Sequence, residues 1–263
     1  MKIGFIGCGN MGGALAKAVS KSGYELLLCD QNEQKALELS SVTGGCVADG
    51  GSICRECDYV FLGVKPNGLV ALIDEIKVPI KEHRPILVSM LAGVDTGRIG
   101  SLVGEGIDII RIMPNTPVLY GEGLVLISAD KTVKEETVNG LKSILKEAGV
   151  CEIIEENLMD AASAVSGSGP AFFYRFIEAV ALGGVDCGLG YEEALRYATL
   201  TAKGAAVMIM SAGKNPEILA KEVCSPGGST IEGVSVLDSK GLAEITRKAV
   251  VSTYKKAQTL GRS

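Results

Sequence analysis

The 263-residue chain is 47% apolar and 22% charged, the balance of a globular protein able to bury a substantial core rather than of a disordered one. Its formal net charge of -5, with no basic cluster interleaved with aromatics, argues against a nucleic-acid or anionic-membrane surface. No apolar run reaches the ~18 residues of a membrane span, and the chain starts directly on a strand pattern with no charged leader, so a soluble cytoplasmic protein is expected.

Residues 2–6 are a short apolar run that reads as a buried parallel strand. The run breaks into Gly7-Cys8-Gly9-Asn10-Met11-Gly12, and apolar residues resume at helical spacing with Ala14, Leu15, Ala18 and Val19. Strand, glycines, helix is the order in which a G-x-G-x-x-G motif binds a dinucleotide. Gly7 permits the tight turn, Gly9 lets the backbone approach a pyrophosphate, and Gly12 lets the helix pack close to the strand. The free N–H groups and positive end of the helix face the phosphates. Residues 24–29 read as a second strand ending at Asp30, about 20 residues past the glycines, where an acid accepts hydrogen bonds from an adenosine ribose. Such an acid repels a 2′-phosphate, and Lys35 is the nearest cation, so the pattern leans to NADH over NADPH. Asp30 also reads as the N-cap of a helix over 33–40.

Further strands fall at 46–48, 58–64, 85–90 and 107–112, with Pro66 opening the helix after the fourth. Strands alternating with helices predict a Rossmann-like, doubly wound parallel sheet with right-handed crossovers. Ligands in such sheets sit outside the carboxyl ends of the strands. Gly63-Val64-Lys65-Pro66, Leu91-Ala92-Gly93 and Met113-Pro114-Asn115-Thr116-Pro117 all fall at such ends. Strands at 123–128 and 150–154 flank a helix over 133–148, and then the alternation stops. From Asn157 onward the patterns are helical, over 158–165, 171–187, 191–211, 216–223, 230–237 and 242–260. The expected division is a dinucleotide-binding domain over 1–155 and an all-helical domain over 156–263.

The helical half has two glycine-rich interruptions, Val165-Ser166-Gly167-Ser168-Gly169-Pro170 and Cys224-Ser225-Pro226-Gly227-Gly228-Ser229-Thr230. Helix starts with exposed N–H groups and hydroxyls can cradle a carboxylate. They can equally be capped helix starts at helix–helix contacts, and both readings stay open at this level. Eight cysteines are scattered along the chain, Cys54-Arg55-Glu56-Cys57 has no second pair, and packing is the expected role. One histidine and dispersed cysteines offer no metal-ligand cluster.

With both halves read, the chain resembles 1-pyrroline-5-carboxylate reductase from about Ile3 to about Tyr254. The motifs that carry the resemblance are Gly7–Gly12, Val64-Lys65-Pro66, Ala92-Gly93, Arg111-Ile112-Met113-Pro114-Asn115-Thr116-Pro117, Ser166–Ala171, Glu178-Ala179 and Val223–Ile231. The last is the most specific. Ser89-Met90-Leu91-Ala92-Gly93 departs from a smaller Ser-Ile-Ala-Ala-Gly common in the family, and Ser229 stands where Thr or Ala is common. The resemblance implies reduction of 1-pyrroline-5-carboxylate to L-proline by hydride from NADPH or NADH. It places the nicotinamide near Val64, Lys65, Pro66, Ala92, Gly93 and Asn115, which complements the pyrophosphate loop Gly7, Gly9, Asn10, Met11 and Gly12 and the ribose position at Asp30. It assigns the substrate carboxylate to Ser225, Gly227, Gly228, Ser229 and Thr230, with Thr230 as the group that hydrogen-bonds the imine nitrogen. It also implies that the helical half binds substrate and forms an interlocked homodimer, or a higher oligomer of such dimers.

Two other readings are weaker. A hydroxy-acid dehydrogenase needs a general base. His83 lies in the loop pattern Lys81-Glu82-His83-Arg84-Pro85, and Val207 stands four residues after Lys203, where the 3-hydroxy-acid enzymes carry asparagine. A non-catalytic nucleotide sensor would bind cofactor without turnover, and the specificity of the 225–230 loop counts against it.

Overall fold

The computed structural model describes residues 1–260, which fall into two compact units. One holds Met1–Ser168 and the chain from Thr253, the other Gly169–Ser252. The first begins β1 (Lys2–Ile6), α1 (Asn10–Ser20), β2 (Glu25–Cys29), α2 (Glu33–Thr43), β3 (Cys46–Val47), α3 (Gly50–Glu56) and β4 (Tyr59–Leu62). It continues α4 (Leu69–His83), β5 (Ile86–Ser89), α5 (Thr96–Val103), β6 (Ile109–Met113), β7 (Gly123–Ala129), α6 (Glu135–Ile144), β8 (Gly149–Ile153) and α7 (Met159–Ser166). A helical series follows: α8 (Gly169–Asp186), α9 (Tyr191–Ala212), α10 (Pro216–Val223), α11 (Ser229–Ser239) and α12 (Leu242–Leu260).

The strands form one eight-stranded sheet in the order β3-β2-β1-β4-β5-β6-β7-β8. The order reverses direction beside β1, so the end of the first strand faces the crevice in which such sheets bind ligands. β1 through β6 are parallel, as expected, but β7 pairs antiparallel with β6, and β8 runs parallel to β7. The reason is the link. Residues 114–122 between β6 and β7 are too short to carry a crossover helix, so the chain must return antiparallel. α6 supplies a crossover again before β8.

Period-two alternation sends each strand's side chains into two separate cores, one on each face of the sheet. Ile3, Phe5, Tyr59, Phe61, Val88, Ile110 and Ile112 enter one, while Ile6, Val60, Leu62, Leu87 and Ile109 enter the other. Phe5 and Phe61 are register partners and stack with ring centroids 4.6 Å apart. Each such fully buried side chain contributes about 1.5–3 kcal/mol of transfer free energy, so this double core is what fixes the strand ends that carry the site. Pro66 starts a 3-10 turn over Pro66–Gly68 rather than the α-helix itself, and α4 begins at Leu69. Similarly, the helix expected over 133–148 is α6 followed by a 3-10 turn over Lys146–Ala148.

In the second unit α8 and α9 pack through small residues, Ala181, Ala194 and Ala198. Much of the rest of their apolar surface is bare within the single chain. Phe173 is 66% exposed and Met210 77%. Among the described residues no helix is long and apolar enough to cross a membrane.

Candidate active site

The turn from β1 into α1 is built by close backbone approach. Gly7 has φ +108°, a conformation L side chains rarely adopt, and its N–H donates to the Cys29 carbonyl at 2.7 Å. A Cβ at Gly7 would run into the Gly63 carbonyl at the end of β4, and one at Gly12 would overlap the Gly7 carbonyl oxygen. Beside Gly9, by contrast, the space is open. Gly9 is the N-cap of α1 and has no side chain to cap it, and the first turn of α1 carries no acid. The first N–H groups of α1 therefore lack the partner that a capping side chain would give, beside a position where a pyrophosphate has room.

Asp30 is held in this turn. One carboxylate oxygen accepts the Cys8 N–H at 2.7 Å and the other the Asn32 N–H at 2.9 Å. Asn32, not Asp30, caps α2, its side chain accepting from the Gln34 N–H, so the capping reading of Asp30 is corrected. A crevice of about 590 Å³ opens at these strand ends, lined by Gly7, Gly9, Asp30, Gly63, Val64 and Lys65 among others. A neighbouring cavity of about 660 Å³ is lined by Gly9, Asn10, Met11, Lys35 and Thr116. Burial, and then the Asp30 charge, push the Cys8 thiol up to about 12, so it stays neutral beside the place for an anion. The open flank of Gly9, the uncapped helix start and the strand-end crevice fit a dinucleotide.

The 225–230 loop lies in the second unit and is a type II turn by its residues. Pro226 takes the position that favours its ring, Gly227 takes the left-handed position with φ +73°, and the Gly228 N–H donates to the Ser225 carbonyl at 3.0 Å. Gly228 is then the N-cap of α11, again with no capping side chain, which leaves Ser229 and Thr230 in the first turn. At α10, the preceding helix, Asn215 caps the start by accepting the Glu217 N–H. The two Gly-capped starts at Gly9 and Gly228 thus share one feature, first-turn backbone donors with no capping side chain.

Comparison with known proteins agrees with both halves. Residues 156–260 match the family described as pyrroline-5-carboxylate reductase dimerisation, and residues 2–93 match the family described as NADP oxidoreductase, coenzyme F420-dependent. The pyrroline-5-carboxylate reductase of Aquifex aeolicus is 36% identical over 99% of this chain and 97% of its own length. The chain belongs to the pyrroline-5-carboxylate reductase family. The Escherichia coli reductase is 33% identical over the whole of this chain and 99% of its own. The crystal structure of the Plasmodium falciparum reductase with NADP bound superposes with a TM-score of 0.89 at 29% identity, covering 99% of both chains. The Coxiella burnetii reductase structure superposes at 0.90.

Not every residue assigned from the family resemblance faces these cavities. Pro66 opens the 3-10 turn beside the Val64–Lys65 strand end without lining the crevice, and Gly12 is taken up in packing against Gly7. Ala92 and Gly93 follow β5 and line neither cavity, Gly93 with φ +73°. Asn115 is buried, and its amide serves the backbone: the oxygen accepts the Leu124 N–H at 2.9 Å and the nitrogen donates to the Ser166 carbonyl at 3.1 Å. It ties the end of β6 to β7 and to the last turn of α7.

Sequence reading missed a buried ion cluster on the same strand. Arg111, 3% exposed, lies in register with Ser89 of β5 and Ser128 of β7, both also buried. The row of two small hydroxyls makes room for the guanidinium, which pairs with Asp160 at 3.0 Å and Glu156 at 3.7 Å. Glu156 also accepts the Thr96 N–H at 2.8 Å and its hydroxyl at 2.7 Å. The Arg111 Nε is buried without a partner in the structure. Three polar positions in otherwise apolar strands, with two acids four apart at 156 and 160, were the available signal. Among the described residues no group of three His, Cys, Asp or Glu could hold a metal ion.

Proposed function

We propose that the chain reduces 1-pyrroline-5-carboxylate to L-proline with NADPH or NADH. The observation that carries the reading is the pair of Gly-capped, uncapped-by-side-chain helix starts at Gly9 and Gly228 in a chain related along its whole length to reductases of this name. The backbone around Gly7, Gly9, Asn10, Met11 and Gly12 holds the pyrophosphate, with Asp30 shaping the adenosine end through its grip on Cys8. Val64 and Lys65 line the crevice directly, and the segments that carry Pro66, Ala92, Gly93 and Asn115 at the neighbouring strand ends back it on the nicotinamide side. When bound, the reduced nicotinamide supplies the hydride that adds to the imine carbon. Ser225, Gly227, Gly228, Ser229 and Thr230 receive the substrate carboxylate on backbone N–H and hydroxyl donors. The Thr230 hydroxyl hydrogen-bonds the imine nitrogen: it donates to the neutral imine and, once that nitrogen carries a proton, its oxygen accepts the iminium N–H, so that hydride addition at carbon leaves the secondary amine of proline. A protonated imine is already electrophilic, so proximity and alignment supply most of the acceleration.

The working division is a nucleotide domain over 1–155 and a substrate and dimerisation domain over 156–263, and the second supports a homodimer or a higher oligomer of dimers. Eight unpaired cysteines fit a cytoplasmic setting. The test is loss of reduced-nicotinamide absorbance on adding 1-pyrroline-5-carboxylate, with each cofactor in turn and proline identified as product. Cofactor binding without substrate-dependent oxidation would overturn the reading.

A further inference from the structure

We infer that Arg111 is a positioning residue for the nicotinamide end of the site, acting through Glu156 and Asp160; this rests on the proposed placement of the nicotinamide at Ala92, Gly93 and Asn115. Alternation along β6 puts Arg111, Met113 and, one step beyond the strand, Asn115 on one face. α7 lies on that face and is held at each of the three positions. Arg111 pairs with Asp160 in the first turn of α7, Met113 packs with the fully buried Met159, and Asn115 donates to the carbonyl of Ser166 in the last turn. α7 is therefore fixed along its length by the strand whose end carries Asn115.

The same cluster reaches the loop after β5. Glu156, paired with Arg111, takes both the N–H and the hydroxyl of Thr96 at the start of α5. Thr96 closes the short segment that begins at Leu91 and contains Ala92 and Gly93. The α5 start already has its own cap, Asp95 accepting the Arg98 N–H at 2.7 Å, so Glu156 is not needed as the capping group. What Glu156 adds is a fixed distance between the Ala92–Gly93 segment and the Asn115 strand end. A planar, forked guanidinium holds two carboxylates at once in set directions, whereas an ammonium on a flexible stem does not fix those directions. Two wall segments from different strands are thereby locked together by one buried side chain that has no place in the cofactor crevice itself.

The test uses the full-length assembled enzyme carrying Arg111→Lys or Glu156→Gln, the second keeping an acceptor for Thr96 should the first fail to fold. Binding of ADP-ribose, which has the adenosine and pyrophosphate but no nicotinamide, is compared with binding of NADPH and NADH by calorimetry. Turnover is measured alongside, with cofactor deuterated at the transferred position. The expected result is unchanged ADP-ribose affinity, weaker binding of the whole dinucleotide, and a turnover number lower by on the order of ten- to a hundredfold, as misalignment of reacting atoms costs. The isotope effect on turnover should rise as hydride transfer becomes the slow step. Wild-type turnover with only a lower melting temperature, or equal weakening of ADP-ribose and dinucleotide, would reduce Arg111 to a structural residue and overturn the inference. Ala92→Leu separates the two layers of argument. If it leaves the ratio of dinucleotide to ADP-ribose affinity unchanged, the nicotinamide placement fails, whatever Arg111 does.

Discussion

The two units solve burial in opposite ways. In the first, every central strand is covered on both faces, and residues such as Phe5, Phe61, Leu62 and Val88 are fully enclosed within one chain. In the second, α8 and α9 enclose little more than Ala181, Ala194 and Ala198, while Phe173, Val180, Leu200 and Met210 lie open. A helix apolar around most of its circumference has to be covered by something. The nucleotide unit is thus complete in one chain, whereas the helical unit leaves much of its apolar surface uncovered by its own chain, in keeping with its match to a family described by dimerisation.

The largest effect should come from attacking the incomplete half. Val180 lines an apolar cavity of about 340 Å³ between α8 and α9 yet remains 49% exposed in the chain alone. Val180→Asp should abolish assembly, read as a fall to single-chain mass or precipitation in light scattering, and take reductase activity with it. Burying that carboxylate without a partner costs several kcal/mol, more than a helix pair can supply. An intact, active oligomer carrying Val180→Asp would mean that this face is not the covered one.

The complete half should break next, and selectively. Gly12→Ala places a methyl against the Gly7 carbonyl, backbone that has no room to yield, and should destabilise the chain by about 1–3 kcal/mol as overpacking does. Gly9→Ala meets nothing, and should cost no more than about 1 kcal/mol, the disadvantage of Ala against Gly at an N-cap. It should weaken dinucleotide binding all the same, because the methyl occupies the flank where the pyrophosphate approaches. Thermal melts with and without cofactor separate the pair. Equal loss of stability in both would show that Gly9 is also a packing glycine. Thr230→Ala acts on rate instead of stability: turnover should fall by about tenfold to a hundredfold, at or below the low end of the contribution of general acid groups, with cofactor binding unchanged.

Which parts of this molecule were legible in the sequence follows from the range of the interactions involved. The order of strands and helices, and the strand-end positions of Val64, Ala92 and Asn115, are set by local periodicity and turn residues, and these read directly. The direction of β7 depended on whether nine residues could hold a crossover, which an apolar pattern does not state. The cap of α2 is Asn32, two residues on from Asp30, and both are residue types that cap helices, so the chain alone does not choose between them. The Arg111 cluster was hidden for another reason. It joins residues up to 60 positions apart, Thr96 to Glu156, and long-range pairing of polar groups leaves no period in the chain. The use of Asn115 as a tie to Leu124 and Ser166 is of the same kind.

The finest distinction between the halves is in their thiols. Burial drives Cys54 and Cys57 up to about 12, with the mutual proximity of the two adding to Cys54 and the Glu56 carboxylate to Cys57. A thiol so raised is almost wholly protonated at pH 8 and is a poor nucleophile, so this C-x-x-C should neither alkylate nor form a disulfide in the folded chain. Cys46 and Cys187 are exposed in the single chain. Cys46 belongs to the complete unit and should react with iodoacetamide at the rate of an open thiol whatever the state of assembly. Cys187 directly follows α8 in the second unit, so a labelling rate below that of Cys46 would report that assembly covers this end of α8. Mass mapping of the labelled sites at increasing times gives the order: Cys46 first, Cys54 and Cys57 only after denaturant is added. Labelling of Cys57 as fast as Cys46 would show that the α3 end opens in the native state, and the contrast between a closed first unit and an open second would have to be redrawn.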